Sequence, residues 1–282
     1  MVPALTTTDG RTLAYLELGE GPPLICHPGG PGVPPLLFDD LAGLDADRTL
    51  IQLNPRGVDG SDPADSYELE DYAADLDELR AHLGLKTIDL FGHSAGGFTS
   101  MVYAATSPER VRRLVLCGTF ARFSAESREL FGRFLAEREN DPRFADAVAA
   151  RRQREESPPE DEAELGLLAL RGLPLLFGRF GEKEQAFLER AAASGGGGYH
   201  IPALTYFNER VAPTMDLRPL LPRIEARTLV ITGDQDPWGI GAVPELESGV
   251  RDVEVVVMPG IGHMPWVEEP DGFRSALLEF LD

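Results

Sequence analysis

The chain has 282 residues, 43% hydrophobic and 26% charged, which is typical of a folded globular protein with a sizeable core. Its formal charge of −21 opposes contact with a phosphate backbone, so no nucleic-acid partner is expected. No apolar run approaches the roughly 18 residues of a membrane helix and no signal-peptide pattern opens the chain, so we expect a cytoplasmic protein without a membrane partner.

Short apolar runs alternate with helical patterns along the chain. The first segment, 13–18, alternates in polarity and predicts an antiparallel edge strand. Six further runs rich in Val, Ile and Leu predict strands that are buried on both faces, as in a parallel sheet covered by helices; they span residues 24–26, 49–53, 87–91, 114–117, 228–232 and 253–258. Helical patterns occupy residues 69–83, 96–105 and 273–281. This alternation predicts an α/β fold.

The strand pattern stops between residues 121 and 213. This segment is helical, highly charged and rich in phenylalanine, and it contains a glycine run at 194–198 that predicts a flexible loop. We therefore expect a core built from residues 1–120 and 214–282. Residues 121–213 are predicted to form a helical cap inserted between two strands of that core.

Cysteine and histidine usage limits the chemistry that the chain can support. Cys26 and Cys117 each lie inside an apolar run, which predicts buried thiols rather than a disulfide. No pair among the five histidines has metal-ligand spacing beside Cys or Glu. Neither a metal nor a cofactor is therefore expected.

Residues 92–96 read Gly-His-Ser-Ala-Gly and match the pattern Gly-x-Ser-x-Gly between a predicted strand and a predicted helix. A sharp strand-to-helix turn needs small residues around its serine. The N-terminus of the following helix directs N–H groups toward any negative charge that forms there. We therefore predict that Ser94 is a nucleophile.

A serine hydroxyl needs a base that accepts its proton. His263 lies in the loop directly after the last predicted strand, and loops after parallel strands gather at one edge of the sheet, where Ser94 is also expected. Asp236 follows the preceding strand by three residues and is preferred as the acid that orients His263. Asp234 stays open as its rival, although it is better suited to shape the turn.

Such a reaction also needs N–H donors for the negative charge on the substrate oxygen. The backbone N–H of Ala95 is one expected donor. The second is expected from the glycine- and proline-rich loop at 27–32, with Gly30 as first choice. Gly29 is expected to line the substrate site beside it.

Together these segments resemble the α/β-hydrolase superfamily over nearly the whole chain. The loop at 27–32 looks like the His-Gly-Gly-Pro-Gly motif of the proline iminopeptidase-like branch, and residues 54–61 are similar to its Asp-Gln-Arg-Gly-x-Gly-x-Ser stretch. The resemblance implies an α/β-hydrolase fold, a mostly parallel sheet flanked by helices with an inserted helical cap. It also implies that Ser94, Asp236 and His263 are nucleophile, acid and base.

The chain departs from that branch where the substrate is held. The branch often carries a glutamate directly after the catalytic aspartate, which binds the free amine of the substrate, whereas Pro237 and Trp238 follow here. Glu209 is the candidate replacement. Trp238 and Trp266 are expected either to line an apolar acyl pocket or to pack the loops.

These features predict that a small molecule or short peptide is hydrolysed at an ester or amide bond through an acyl-serine intermediate. An aminopeptidase of the iminopeptidase type is preferred, with a carboxylesterase or thioesterase as the alternative. A small-molecule binding protein and a lyase or cyclase that reuses the pocket are the alternatives from other classes. Substrate identity and oligomeric state stay open.

Overall fold

The computed structural model describes residues 2–193 and 199–282, so the predicted loop at 194–198 lies outside the described residues. Within them, eight strands form one sheet. The strands are β1 (Ala4–Thr6), β2 (Thr12–Leu18), β3 (Pro23–His27), β4 (Thr49–Leu53), β5 (Ile88–His93), β6 (Val111–Cys117), β7 (Arg227–Gly233) and β8 (Val253–Met258). Their order across the sheet is β1-β2-β4-β3-β5-β6-β7-β8.

The sheet is mostly parallel, as predicted. All neighbours from β4 to β8 pair in parallel, and only β1 with β2 and β2 with β4 are antiparallel. The prediction of an antiparallel edge strand at 13–18 is confirmed for residues 15–18, which pair with β4, but it was wrong for the start of the segment, because β1 pairs there and places Leu5 opposite Leu13. A strand of three residues is too short to show a polarity pattern in the sequence.

Strand β8 also differs from its prediction. Its apolar run predicts burial on both faces, but β8 is the last strand of the sheet and Val257 is 41% exposed. An apolar run does not distinguish a central strand from an edge strand, because both favour β-branched residues.

Helices cover both faces of the sheet. In the described ranges they are α1 (Leu69–His82), α2 (Ala95–Thr106), α3 (Ala125–Glu139), α4 (Ala145–Glu156), α5 (Glu162–Gly172), α6 (Glu182–Ala193), α7 (Ile201–Tyr206), α8 (Val243–Gly249), α9 (Pro265–Glu268) and α10 (Pro270–Leu281). No helix in this part of the chain has the length and apolar character that a membrane crossing requires.

The core has two main apolar clusters. The larger includes Leu76 of α1, Phe98 of α2 and Val230 of β7, whereas the second includes Phe91 of β5 and Phe273 of α10. Such double coverage explains the continuous apolar runs of the central strands. Both cysteines are free and fully buried, which confirms their prediction as core thiols.

Helices α3 to α7 are inserted between β6 and β7, inside the range predicted for the cap. A small apolar cluster forms among them, in which Leu135 and Phe144 pack with Val148 and Leu175. The boundaries of a separate cap domain stay a prediction. The loops that follow β3, β5, β7 and β8 lie at one edge of the sheet, beneath these helices.

Candidate active site

Ser94 lies on the tight turn that joins β5 to α2. Its backbone has φ 52° and ψ −121°, a conformation that costs a non-glycine residue on the order of 1–3 kcal/mol. Two hydrogen bonds from the end of β6 hold it there. The N–H of Ser94 donates to the carbonyl of Cys117 over 2.9 Å, and the hydroxyl of Thr119 donates to the carbonyl of Ser94 over 2.7 Å.

Two glycines allow the loop at 27–32 to lie against this turn. A Cβ on Gly96 would come within 2.3 Å of the carbonyl oxygen of His27, and a Cβ on Gly29 within 2.7 Å of the Cβ of Ser94. No real side chain tolerates such distances, so both positions require glycine. The loop that carries Gly30 is thereby brought beside Ser94.

His263 and Asp236 form a buried pair. Nδ1 of His263 lies 2.9 Å from Oδ2 of Asp236, and their side chains are 7% and 0% exposed. Oδ1 of Asp236 accepts the N–H of Trp238 over 3.0 Å. The aspartate therefore holds the imidazole in one orientation, with Nδ1–H as donor and Nε2 free to accept a proton.

The pKa of Asp236 reflects this pairing. Burial opposes its ionisation, but the charge of His263, the hydrogen bond from its ring and the N–H groups of Trp238 and Gly239 outweigh burial and hold the pKa below its ordinary value. Asp236 is therefore a carboxylate in the folded protein near neutral pH.

Asp234 has a different role from its rival. Its side chain is exposed, and Oδ1 accepts the N–H of Gly260 over 2.7 Å, which ties the loop after β7 to the loop after β8. The structure thus pairs His263 with Asp236 and leaves Asp234 to shape the turn.

Ser94 and His263 line the same cavity, together with Gly29 and Gly30. Among the hydrogen bonds of the described residues, His263 is joined to Asp236 but not to the hydroxyl of Ser94. Catalytic hydrogen bonds often shorten only when a substrate binds, so two residues on one cavity wall are a candidate pair for proton transfer without this bond.

A second cavity also borders Ser94. It measures about 930 Å³, against about 170 Å³ for the first, and Ala95 lines it. Its wall includes the aromatic side chains of Phe98, Phe120 and Trp238 and the charged residues Arg154 and Glu155. The two cavities meet at Ser94.

The residues that the sequence predicts to bind substrate occupy different places in the structure. Trp238 lines the large cavity and stacks on Phe131, with ring centroids 4.2 Å apart. Trp266 is 4% exposed and packs between loops, where its Nε1 donates to the carbonyl of Leu37 over 2.8 Å. Glu209 is exposed and is not among the described residues that line either cavity.

His93 positions the backbone of His263, a role that the sequence analysis did not predict. Its Nε2 lies 3.0 Å from the carbonyl oxygen of His263, and the two rings are 4.6 Å apart. Burial, together with the nearby charge of His263, lowers the pKa of His93 to about 3. His93 is therefore neutral, and its Nε2–H donates to that carbonyl.

Glu268 is the second residue that sequence reasoning missed. One carboxylate oxygen accepts the N–H groups of Gly178 (2.9 Å) and Arg179 (3.0 Å), and the other accepts that of Gly262 (2.8 Å). The N–H of His263 also donates to the carbonyl of Leu176 over 2.9 Å. Glu268 thus ties the segment after α5 to the loop of His263.

Comparisons with known proteins identify the family of the fold. The chain matches the family model for the alpha/beta hydrolase fold over residues 22–270. A proline iminopeptidase of Lactobacillus helveticus is 36% identical over 122 residues, which span only 40% of this chain and 41% of that protein. A non-heme haloperoxidase of Rhodococcus erythropolis is 25% identical and covers 100% of both chains. The solved esterase of Exiguobacterium antarcticum has a TM-score of 0.73 at 19% identity over 99% of each chain, a likeness of fold alone.

Proposed function

Because the chain belongs to the alpha/beta hydrolase fold family, we propose that it is a serine hydrolase that cleaves carboxylic esters through an acyl-Ser94 intermediate. The observation that carries the proposal is the buried pair of His263 and Asp236 in the wall of the cavity that Ser94 also lines. A binding protein has no need of a strained serine beside an oriented base.

In the first half of the reaction, Nε2 of His263 accepts the proton of the Ser94 hydroxyl while Oγ attacks the carbonyl carbon. The developing oxyanion is stabilised by the N–H groups of Ala95 and Gly30, each worth about 3 kcal/mol in such sites. His263 then protonates the leaving oxygen as the C–O bond breaks. Water, deprotonated by the same base, releases the carboxylic acid from Ser94.

Asp236 acts through His263 in this scheme. As a buried carboxylate it stabilises the imidazolium that forms in each half-reaction and keeps Nδ1 protonated throughout. The backbone bond from Trp238 fixes the carboxylate itself, so the pair stays aligned while the proton moves at Nε2.

An ester fits the site better than a peptide with a free amino terminus. The wall of the large cavity contains several aromatic rings, and Glu209 is not among the described residues that line it. Removal of an N-terminal residue from a peptide is the second candidate. The partial similarity to proline iminopeptidase favours it, as do two acids of the large cavity, Glu155 and Glu160.

Reaction with a fluorophosphonate probe tests the proposal. The wild-type protein is expected to take up one probe per chain at the peptide that contains Ser94, as mapped by mass spectrometry. Labelling is expected to vanish in Ser94→Ala, slow strongly in His263→Ala and persist in Ser248→Ala, which removes a serine of α8 far from the cavities. A wild-type chain that stays unlabelled refutes the serine mechanism. Parallel assays with alkyl esters and with proline arylamide separate the two candidates.

A further inference from the structure

The two cavities at Ser94 differ in size and in the catalytic groups that they contain. Ser94, Gly30, Arg154 and Tyr199 line both. His263 lines only the cavity of about 170 Å³, whereas Ala95 lines only the cavity of about 930 Å³. A substrate held at Ser94 therefore has one part beside the base and the other part in the larger space.

The chemistry of the proposed reaction fixes which part goes where. The leaving oxygen must receive its proton from Nε2 of His263, so the leaving group lies on the side of the carbonyl that faces His263. The acyl substituent points away from that base. The small cavity therefore receives the leaving group, and the large cavity receives the acyl group.

The small cavity restricts the leaving group. An apolar cavity of about 150 Å³ holds one benzene molecule, so a space of about 170 Å³ admits at most one small ring. Its lining is mainly apolar and includes Leu37, Phe38, Leu176 and Met264, with Arg154 and Tyr199 as polar members, so it is suited to a short and mostly apolar leaving group.

The large cavity is suited to aromatic groups. Phe98 and Phe207 stack with an interplanar angle of 7°, and Trp238 lies 5.5 Å from Phe120 at 26°. These four rings line the same space. Aromatic pairs at such separations add to the free energy of burial, so a substrate ring inserted among them is stabilised beyond its area alone.

We infer that the preferred substrates are esters of large, aryl-substituted carboxylic acids with small alcohols. This inference rests on the proposed serine hydrolase function and adds the orientation of the substrate between the two cavities. In the reaction, a bond forms between Oγ of Ser94 and the acyl carbon, and the small alcohol leaves with the proton delivered by His263. Water then returns the aryl acid and restores the hydroxyl of Ser94, so no oxidant or further reactant is needed.

Two isomeric esters test the orientation. Ethyl naphthylbutanoate carries its rings on the acyl side, whereas naphthylbutyl acetate carries them on the alcohol side. The value of kcat/KM for each ester is divided by the rate constant for its hydrolysis by hydroxide, which corrects for intrinsic reactivity. We expect this normalised value to be about tenfold or more higher for the butanoate than for the acetate. Equal values, or a preference for the acetate, overturn the inference.

Probe labelling separates failure of the inference from failure of the proposed function. If Ser94 is labelled by a fluorophosphonate but neither isomer is hydrolysed, the aryl-acyl specificity is wrong and the serine mechanism stands. If Ser94 is not labelled, the proposed function itself fails, and the inference fails with it.

A variant that fills the large cavity supplies an independent test. Thr205 of α7 is exposed, lines the large cavity and is not one of the catalytic groups proposed above. Thr205→Trp is expected to lower the ratio of kcat/KM for ethyl naphthylbutanoate to that for nitrophenyl acetate by about tenfold. In the matched Thr205→Ser variant the ratio is expected to stay near the wild-type value. A ratio unaffected by the tryptophan contradicts the assignment of the large cavity to the acyl group.

Discussion

Replacement of Glu268 tests the link between the cap segment and the base loop. The carboxylate accepts three backbone N–H groups, from Gly178, Arg179 and Gly262, at 2.8–3.0 Å. Each buried donor left without an acceptor costs about 1–3 kcal/mol. Burial of the carboxylate offsets part of the stabilisation from these hydrogen bonds, because it raises the pKa of Glu268 to about 7. We therefore use the lower end of this range, about 1 kcal/mol per donor.

The two obvious substitutions are expected to differ in magnitude. Glu268→Gln keeps one acceptor oxygen, which can still accept the N–H groups of Gly178 and Arg179. Its NH₂ group then faces the N–H of Gly262, so that hydrogen bond is lost and the free energy of unfolding falls by about 1 kcal/mol. Glu268→Ala leaves all three donors without an acceptor and costs about 3 kcal/mol. Since Gly262 precedes His263, kcat is expected to fall in both variants.

Urea unfolding near pH 8, above the pKa of about 7, measures these costs as shifts of the midpoint at constant slope. Glu269→Gln is the matched control, because Glu269 is adjacent in sequence but exposed, and its midpoint is expected to stay at the wild-type value. Equal stability of the alanine and glutamine variants would refute the reasoning, as would a shift of the control as large as theirs.

Asp236→Asn is expected to lower kcat by about 10⁴-fold because an amide selects the wrong tautomer of His263, whereas Asp234→Asn keeps steady-state kcat near the wild-type value. The pKa of Asp236 is held below 3.8, so its stabilisation is present above that pH and is lost as pH falls through the lower folded-state value. Acid unfolding followed by circular dichroism should therefore be steeper in wild type than in Asp236→Asn. For Glu268 the sign is opposite: its contribution to stability is largest below pH 4.5 and falls as pH rises through about 7, to the smaller remainder that the urea midpoints near pH 8 measure. Glu268→Gln should remove this pH dependence in urea titrations across that range.

The sequence was sufficient to predict the loops of the candidate site because each follows a strand with a clear apolar pattern. Ser94 directly follows such a strand, Asp236 and His263 lie in the loops after two others, and the topology of a parallel sheet brings those strand ends together. Strand β1 escaped prediction because three residues carry no periodicity.

Contacts between distant segments lay beyond sequence reasoning. Glu268 accepts the N–H groups of Gly178 and Arg179, about ninety residues earlier, and the Glu-Glu-Pro sequence at 268–270 carries no signal that reveals such partners. The same applies to the two tryptophans near the acid and the base. Only packing distinguishes Trp238, which lines the large cavity, from Trp266, which fills the space between loops.

Capture of the acyl intermediate tests the central claim most directly. Rapid mixing with an excess of a nitrophenyl ester, followed by acid quenching and intact mass measurement, is expected to give a burst of nitrophenol of about one equivalent per chain. The protein mass should rise by that of the acyl group, carried on Ser94. Turnover of the ester by a chain whose mass never changes, with full activity kept in Ser94→Ala, would contradict the account.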